Sequence, residues 1–180
     1  MLIDAIRAFA RNELLPADRR WDRGDGSVAE MLPNVAEMGL LNMVLPEDVG
    51  GMACDMTLYA AMIRELAYAS PSMAVTVSVH SMTGKILSLH ARDEWKRKCL
   101  ADFGGAESLA AFAISEADAG SDPSAIQTRA VKVDGGYRLT GSKMWITNGL
   151  RGRWFLVLVR TDPDAPGSKG LSAMIVDGNE

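Results

Sequence analysis

Phe112-Ala113-Ile114-Ser115-Glu116-Ala117-Asp118-Ala119-Gly120-Ser121-Asp122 opens as an apolar strand and closes as a small-residue turn carrying two hydroxyls and a glycine. A turn of this kind presents backbone amides and the Ser115 and Ser121 hydroxyls to a ligand. Gly120 lets that ligand come close to the main chain. Such an edge suits a flat, amide-bearing ring or a phosphate. By composition alone the simpler reading is a polar loop leaving a strand, with Asp118 and Asp122 bonding neighbouring amides.

Outward from this stretch the chain changes character. On its C-terminal side the pattern is that of strands. AIQTRAVKV and YRLTG alternate on either side of Asp134-Gly135-Gly136, a hairpin signal, and WFLVLVRT and LSAMIVD are two further apolar runs. DPDAPGSKG between them is loop chemistry. On its N-terminal side the pattern is helical. Leu2, Ile3, Ile6, Phe9, Ala10 and Leu14 recur at three and four, and Pro16 is expected to end or bend that helix. RRWDRGDGS reads as a loop. A helix over about 28–38 ends at Gly39, and LPEDVGGMACDMT reads as a second loop. A helix is expected over 56–69, broken by Ser70-Pro71, and another over 72–90, apolar on every face and therefore expected to be buried all round. A short polar helix then starts with Asp93 as its N-cap. Helices segregated from strands predict an α+β chain, with an all-α domain over 1–105 and a β-rich, antiparallel, barrel-like domain over 106–180 that is incomplete.

Composition narrows the function classes. Of 180 residues, 48% are hydrophobic and 23% charged, with a net charge of −4, which suits a soluble globular chain and argues against nucleic acid as a partner. Cys54 and Cys99 are too few for a disulfide framework and, with two distant histidines, show no metal-ligand spacing, so no metal is expected. No apolar run approaches the roughly 20 residues of a membrane span. The charged N-terminus is neither a signal nor a transit peptide, so the expected location is cytoplasmic, or the mitochondrial matrix in a eukaryote.

A second segment, Lys143-Met144-Trp145-Ile146-Thr147-Asn148-Gly149, follows the hairpin. Its tryptophan beside a hydroxyl could wall one side of a planar cofactor, or could be a core anchor before an Asn-Gly turn. Together FAISEADAGSD and KMWITNG, with LPEDVGG and its following helices in the same order, resemble the acyl-CoA dehydrogenase family. Residues 113–122 fit the pattern small, aliphatic, Ser/Thr, Glu, two variable, small, Gly, Ser/Thr, Asp without a gap. Ala117-Asp118 stands where family members commonly have Pro-Gly, a departure expected to loosen the turn and bring a carboxylate close to the cofactor.

The resemblance implies an FAD-dependent oxidoreductase that desaturates an acyl-CoA to the enoyl-CoA and passes electrons to an electron transfer flavoprotein. Phe112, Ile114 and Ser115 would border the isoalloxazine. Gly120 and Ser121 would lie where flavin and pantetheine meet, with Ser121 also touching the acyl-CoA. Trp145, Ile146 and Thr147 would cover the other side of the ring. The catalytic base belongs to a C-terminal helical bundle that these residues do not include, so no catalytic residue is assigned here. A homo-oligomer or a complementing C-terminal chain is expected. The alternatives are an oxidase or flavin monooxygenase on the same scaffold, or a non-catalytic or split-enzyme assembly chain.

Among other groups, His80 reads as a satisfied buried imidazole or, less simply, a substrate contact, and His90 as a complement to its helix dipole. Glu47, Glu65 and Glu107 read as solvated or capping charges. Arg92, Lys96, Arg97 and Lys98 read as a solvated basic face.

Overall fold

The computed structural model describes residues 2–179. The chain divides into two compact units, with the boundary between Leu109 and Ala110.

In the helical unit, α1 (Leu2–Phe9) buries Ile6 and Phe9. The chain then stays helical through Pro16, which neither ends it nor stands inside an ordinary turn. Ala10–Leu14 forms a π turn, closed by Leu15 N–H on the Ala10 carbonyl, and Pro16 occupies the first turn of α2 (Leu15–Trp21). The wider turn absorbs the missing donor of the proline, and such bulges are a recognised way to do so. The expected loop from Arg19 therefore starts only after Trp21. A 3₁₀ turn, Val28–Met31, leads into α3 (Leu32–Glu37). Ser27 caps it in a reciprocal box with Glu30.

Helix α4 (Met56–Ala69) occupies the span expected of it, because Asp55 Oδ1 accepts the Thr57 and Leu58 amides at its start (2.9 and 2.8 Å) and Pro71 follows its end. Helix α5 (Pro71–His90) is not buried all round. Met73, Val77, His80, Gly84 and Leu87 lie inside, whereas Val75, Met82 and Leu89 form an exposed stripe at seven-residue spacing. Helix α6 (Asp93–Leu100) begins without a side-chain cap: Arg92 holds the cap position and Asp93 is already the first helical residue, where its charge still meets the helix dipole. Ile6, Phe9, Leu14, Leu40, Leu66 and Met73 belong to one shared core.

Glu65 and His80 are among the polar groups in this unit's interior. Glu65 is not a solvated charge. It is buried and takes Arg7 in a two-point ion pair (3.1 and 3.2 Å), which holds its carboxyl below the usual range. His80 is fully buried, stacked on Phe103 at 3.9 Å, with Nε2 2.9 Å from the Phe103 carbonyl. Burial drives its pKa down to about 4, outweighing the Phe103 and Leu41 carbonyls that favour the cation. The folded value lies below the ordinary 6.5, so the unfolded chain takes up the proton first. Stability is full above pH 6.5 and is lost as pH falls towards 4. Urea unfolding should show a His80 contribution of roughly 2 to 3 kcal/mol disappearing between about pH 7 and 4.5. His80→Gln should lose that part of the pH dependence; an identical pH profile in the variant would contradict it.

In the second unit β4 (Trp154–Arg160) is the middle strand. It is apolar on both faces, as a strand covered on both sides must be. On one side it pairs antiparallel with β5 (Leu171–Asp177), Trp154 opposite Asp177. On the other it runs parallel to β1 (Ala110–Ala113), Ala110 opposite Trp154, and meets β2 (Arg129–Val133) at Arg129–Arg160. β2 and β3 (Gly136–Thr140) make the expected hairpin around Asp134-Gly135, with Gly135 at φ 78°. The sheet is thus mixed and not wholly antiparallel, since β1 reaches β4 through a long connection. Ala113, Ala130, Val157 and Val159 form its core. Among the described residues no helix is long and apolar enough to cross a membrane, and no cluster could hold a metal.

Candidate functional site

The site starts where β1 ends. Phe112 lies half-buried in the strand opposite Leu156, and Ile114 and Ser115 continue it, both half-buried. Glu116 N–H then donates to the Ala119 carbonyl (2.8 Å) and Ala119 N–H returns to the Glu116 carbonyl (3.3 Å). Ala117-Asp118 is therefore the tip of a tightly closed turn, and neither residue has positive φ. The loosening expected from the missing Pro-Gly does not occur, because this turn needs no left-handed residue. Asp118 is exposed. Gly120 and Ser121 lie on the exposed loop that follows, and among the described residues no hydrogen bond links them to the tryptophan segment. Asp122 then accepts from the Ser124 side chain and from the Ser124 amide (2.9 Å), which together lower its pKa.

The tryptophan segment is fastened to β1 at both ends. Met144 N–H donates to the Ser115 carbonyl (2.9 Å), and Asn148 Nδ2 donates to the Ala110 carbonyl (2.9 Å). Between these anchors Trp145 and Asn148 adopt left-handed backbone, φ 60° and 65°. An aromatic residue rarely does so. Trp145 is not a core anchor: it is 87% exposed. Ile146 packs into the sheet core, and Thr147 is half-buried beside it. Neither the Ser115 nor the Thr147 hydroxyl has a hydrogen-bond partner among the described residues.

A charged pair that the sequence reading did not assign ties the two segments together. Lys143 Nζ donates to the Ile114 carbonyl (2.9 Å) and to Glu116 Oε1 (2.8 Å). Glu116 also accepts the Gln127 and Thr128 amides (2.7 and 3.0 Å). Burial raises the Glu116 pKa, but Lys143, Thr128 and these amides outweigh it and set the value at about 2. A carboxylate so engaged is a poor base. The available signal was faint: a lone lysine opening an otherwise uncharged segment, 27 residues from its partner.

A hollow of about 520 Å³ lies on the apolar face of the sheet, lined by Leu139, Ile146, Phe155 and Val157 among others. It includes Ile146 but none of the other expected residues, so it forms an apolar floor rather than a polar cradle. The polar features lie along the strand end: two partnerless hydroxyls, an exposed indole held by strained backbone, and turn amides. This donor set fits a flat ring with a hydrogen-bonding edge. It supplies donors and an aromatic face, not a base.

Family models of "Acyl-CoA dehydrogenase, N-terminal domain" and "Acyl-CoA dehydrogenase, middle domain" match residues 1–107 and 111–180. An acyl-CoA dehydrogenase of Bacillus subtilis is 33% identical over 180 residues, 99% of this chain and 47% of that protein. A solved chain described as electron transferring flavoprotein of Acidaminococcus fermentans, in work towards a mechanism of flavin-based electron bifurcation, superposes with TM-score 0.91 at 31% identity, covering 98% of this chain and 47% of that one. PigA, solved with FAD and proline, superposes with TM-score 0.87 at 28% identity over 98% of this chain and 47% of that one. The chain thus spans about half the length of the relatives it matches.

Proposed function

Because this chain belongs to the acyl-CoA dehydrogenase family, we propose that it forms the helical and middle parts of an FAD-dependent acyl-CoA dehydrogenase, with the flavin ring seated between the end of β1 and the Trp145 segment. The observation that carries the reading is the left-handed, exposed Trp145 fastened beside Ser115. Burying so large an aromatic face against a flat ring would recover area that the chain leaves in water. The FAD that accompanies PigA supports the same cofactor.

FAD held there would supply a hydride acceptor for the β carbon of an acyl-CoA thioester whose α proton is taken by a base. The residues of this chain bind and orient. Ser115 and its neighbouring amides would hold the polar edge of the ring, where donors favour the reduced state. Phe112 and Ile114 would border the ring, while Trp145, Ile146 and Thr147 would cover its other face and exclude water. Gly120 and Ser121 would meet the pantetheine arm, with Ser121 on the acyl-CoA. The base would come from a C-terminal region beyond these residues. The exposed Val75–Met82–Leu89 stripe supports a further subunit or complementing chain as partner. An electron transfer flavoprotein is the proposed acceptor, a role consistent with the Acidaminococcus structure.

Titration of the purified protein with FAD tests this. Yellow protein is expected, with Trp145→Ala and Ser115→Ala each binding FAD about tenfold more weakly. Colourless protein at saturating FAD, or unchanged affinity in both variants, would overturn the site. Residues 1–180 by themselves should form little enoyl-CoA; robust product would overturn that part. Rapid peroxide formation would instead favour an oxidase.

A further inference from the structure

We propose that the Lys143–Glu116 ion pair is a positioning element that aligns Ser115 with the Trp145–Thr147 segment as one binding surface. The inference rests on the flavin reading for its ligand, but not for its geometry.

Both side chains are nearly buried, 11% and 8% exposed. Taking two charges out of water is costly, and a pair of this kind is weak evidence for stability by itself. What it does here is join segments that are distant in sequence. Lys143 bonds the carbonyl of Ile114, the residue directly before Ser115. Glu116, directly after Ser115, receives the same ammonium and two amides at the entrance to β2. Ser115 is thus bracketed on both sides by contacts of one lysine.

Two residues beyond that lysine stands Trp145 at φ 60°. Strained backbone persists only where its surroundings over-determine it. The indole is too exposed to hold itself in place by packing. The restraint must come from the flanks: Asn148 on one side, and Met144 N–H with Lys143 on the other. Of these, the lysine carries the charge and reaches the residues on both sides of Ser115, so it sets the register of the tryptophan against Ser115.

The test compares wild type, the neutral double variant Lys143→Met/Glu116→Gln, and Lys143→Arg. In ligand-free protein, ¹H–¹⁵N spectra of the double variant should show the Ser115, Trp145 and Thr147 signals shifted and broadened, with the helical unit unchanged. Unchanged signals at those three residues would overturn the proposal whether or not FAD binds. With FAD, the double variant should bind about tenfold more weakly, and the visible circular dichroism of its flavin should move towards that of free FAD. Affinity and spectrum equal to wild type would overturn it. Lys143→Arg keeps the cation and should stay within about fivefold of wild type; a loss as large as the double variant's would overturn the assignment to the ion pair. A double variant that does not fold would also count against it, since the pair would then hold the fold and not the surface. Failure of wild type itself to take FAD would remove the flavin reading and leave the ligand-free spectra to decide this one.

Discussion

Replacing Gly84 with valine is expected to unfold the helical unit at ordinary temperatures, or to lower its stability by about 3 to 5 kcal/mol. Gly84 lies on the buried face of α5, one turn beyond His80. A Cβ there would stand 2.4 Å from Phe103 Cε1, 2.8 Å from Phe103 Cζ and 3.1 Å from Leu45 Cδ2. The end of a mobile side chain could yield, but this ring cannot. It is stacked on His80 with only 21° between the planes, and its backbone carbonyl holds the His80 ring. Swinging the Phe103 ring aside would break its stack on His80 and open a void beside a buried imidazole. Gly84→Ala should cost less, because alanine recovers about 1 kcal/mol of helix propensity while still colliding with the ring. Urea titration followed by the helical circular dichroism signal measures both. A midpoint unchanged by valine would show that Phe103 can swing aside, and the packing described here would be wrong.

Replacing Gly51 with alanine is the second large effect, expected to exceed about 3 kcal/mol, whereas Gly50→Ala should cost only about 1 to 2. The two glycines are adjacent in LPEDVGG but are required for different reasons. Gly50 adopts φ 77°, and a Cβ added there would meet nothing within 4 Å, so its demand is conformational. Gly51 has ordinary φ, but a Cβ would fall 2.0 Å from the Leu45 carbonyl oxygen and 2.3 Å from its carbon. These are backbone atoms of a fully buried residue, and four hydrogen bonds stitch the strip in place: Gly51 to Pro46, Met52 to Asn42, Ala53 to Leu45 and Cys54 to Met43. No side-chain rearrangement relieves that overlap. Equal thermal midpoints for the two variants would refute the distinction.

Much of the local structure was legible because its signals are local. Helix α4 and strand β5 occupy the spans expected of them. Asp55 and the Ser70-Pro71 break bound the first, and a continuous apolar run bounds the second. The β2–β3 hairpin follows from Asp134-Gly135. Pro16 misled because a proline's missing donor can be absorbed by a π turn as well as by a helix end, and nothing in the one-dimensional pattern chooses between them. The all-apolar α5 misled because periodicity reports what a helix could bury, not which of its sides has a neighbour; Val75, Met82 and Leu89 remain exposed.

The site divides in the same way. The residues expected to hold a flat ring, Ser115 and Trp145–Thr147, were named from the family resemblance of two short motifs; their residue types alone also allowed a polar loop and a core tryptophan. That Trp145 is forced into left-handed backbone, and that Lys143 and Glu116 form the joint between the motifs, were decided by tertiary structure alone. The reason is physical. Propensity, capping and turn formation depend on neighbours within a few residues, and the chain order displays those. A buried charge is tolerated only by the partner that folding delivers to it, and no reading of order alone says that position 143 will meet position 116.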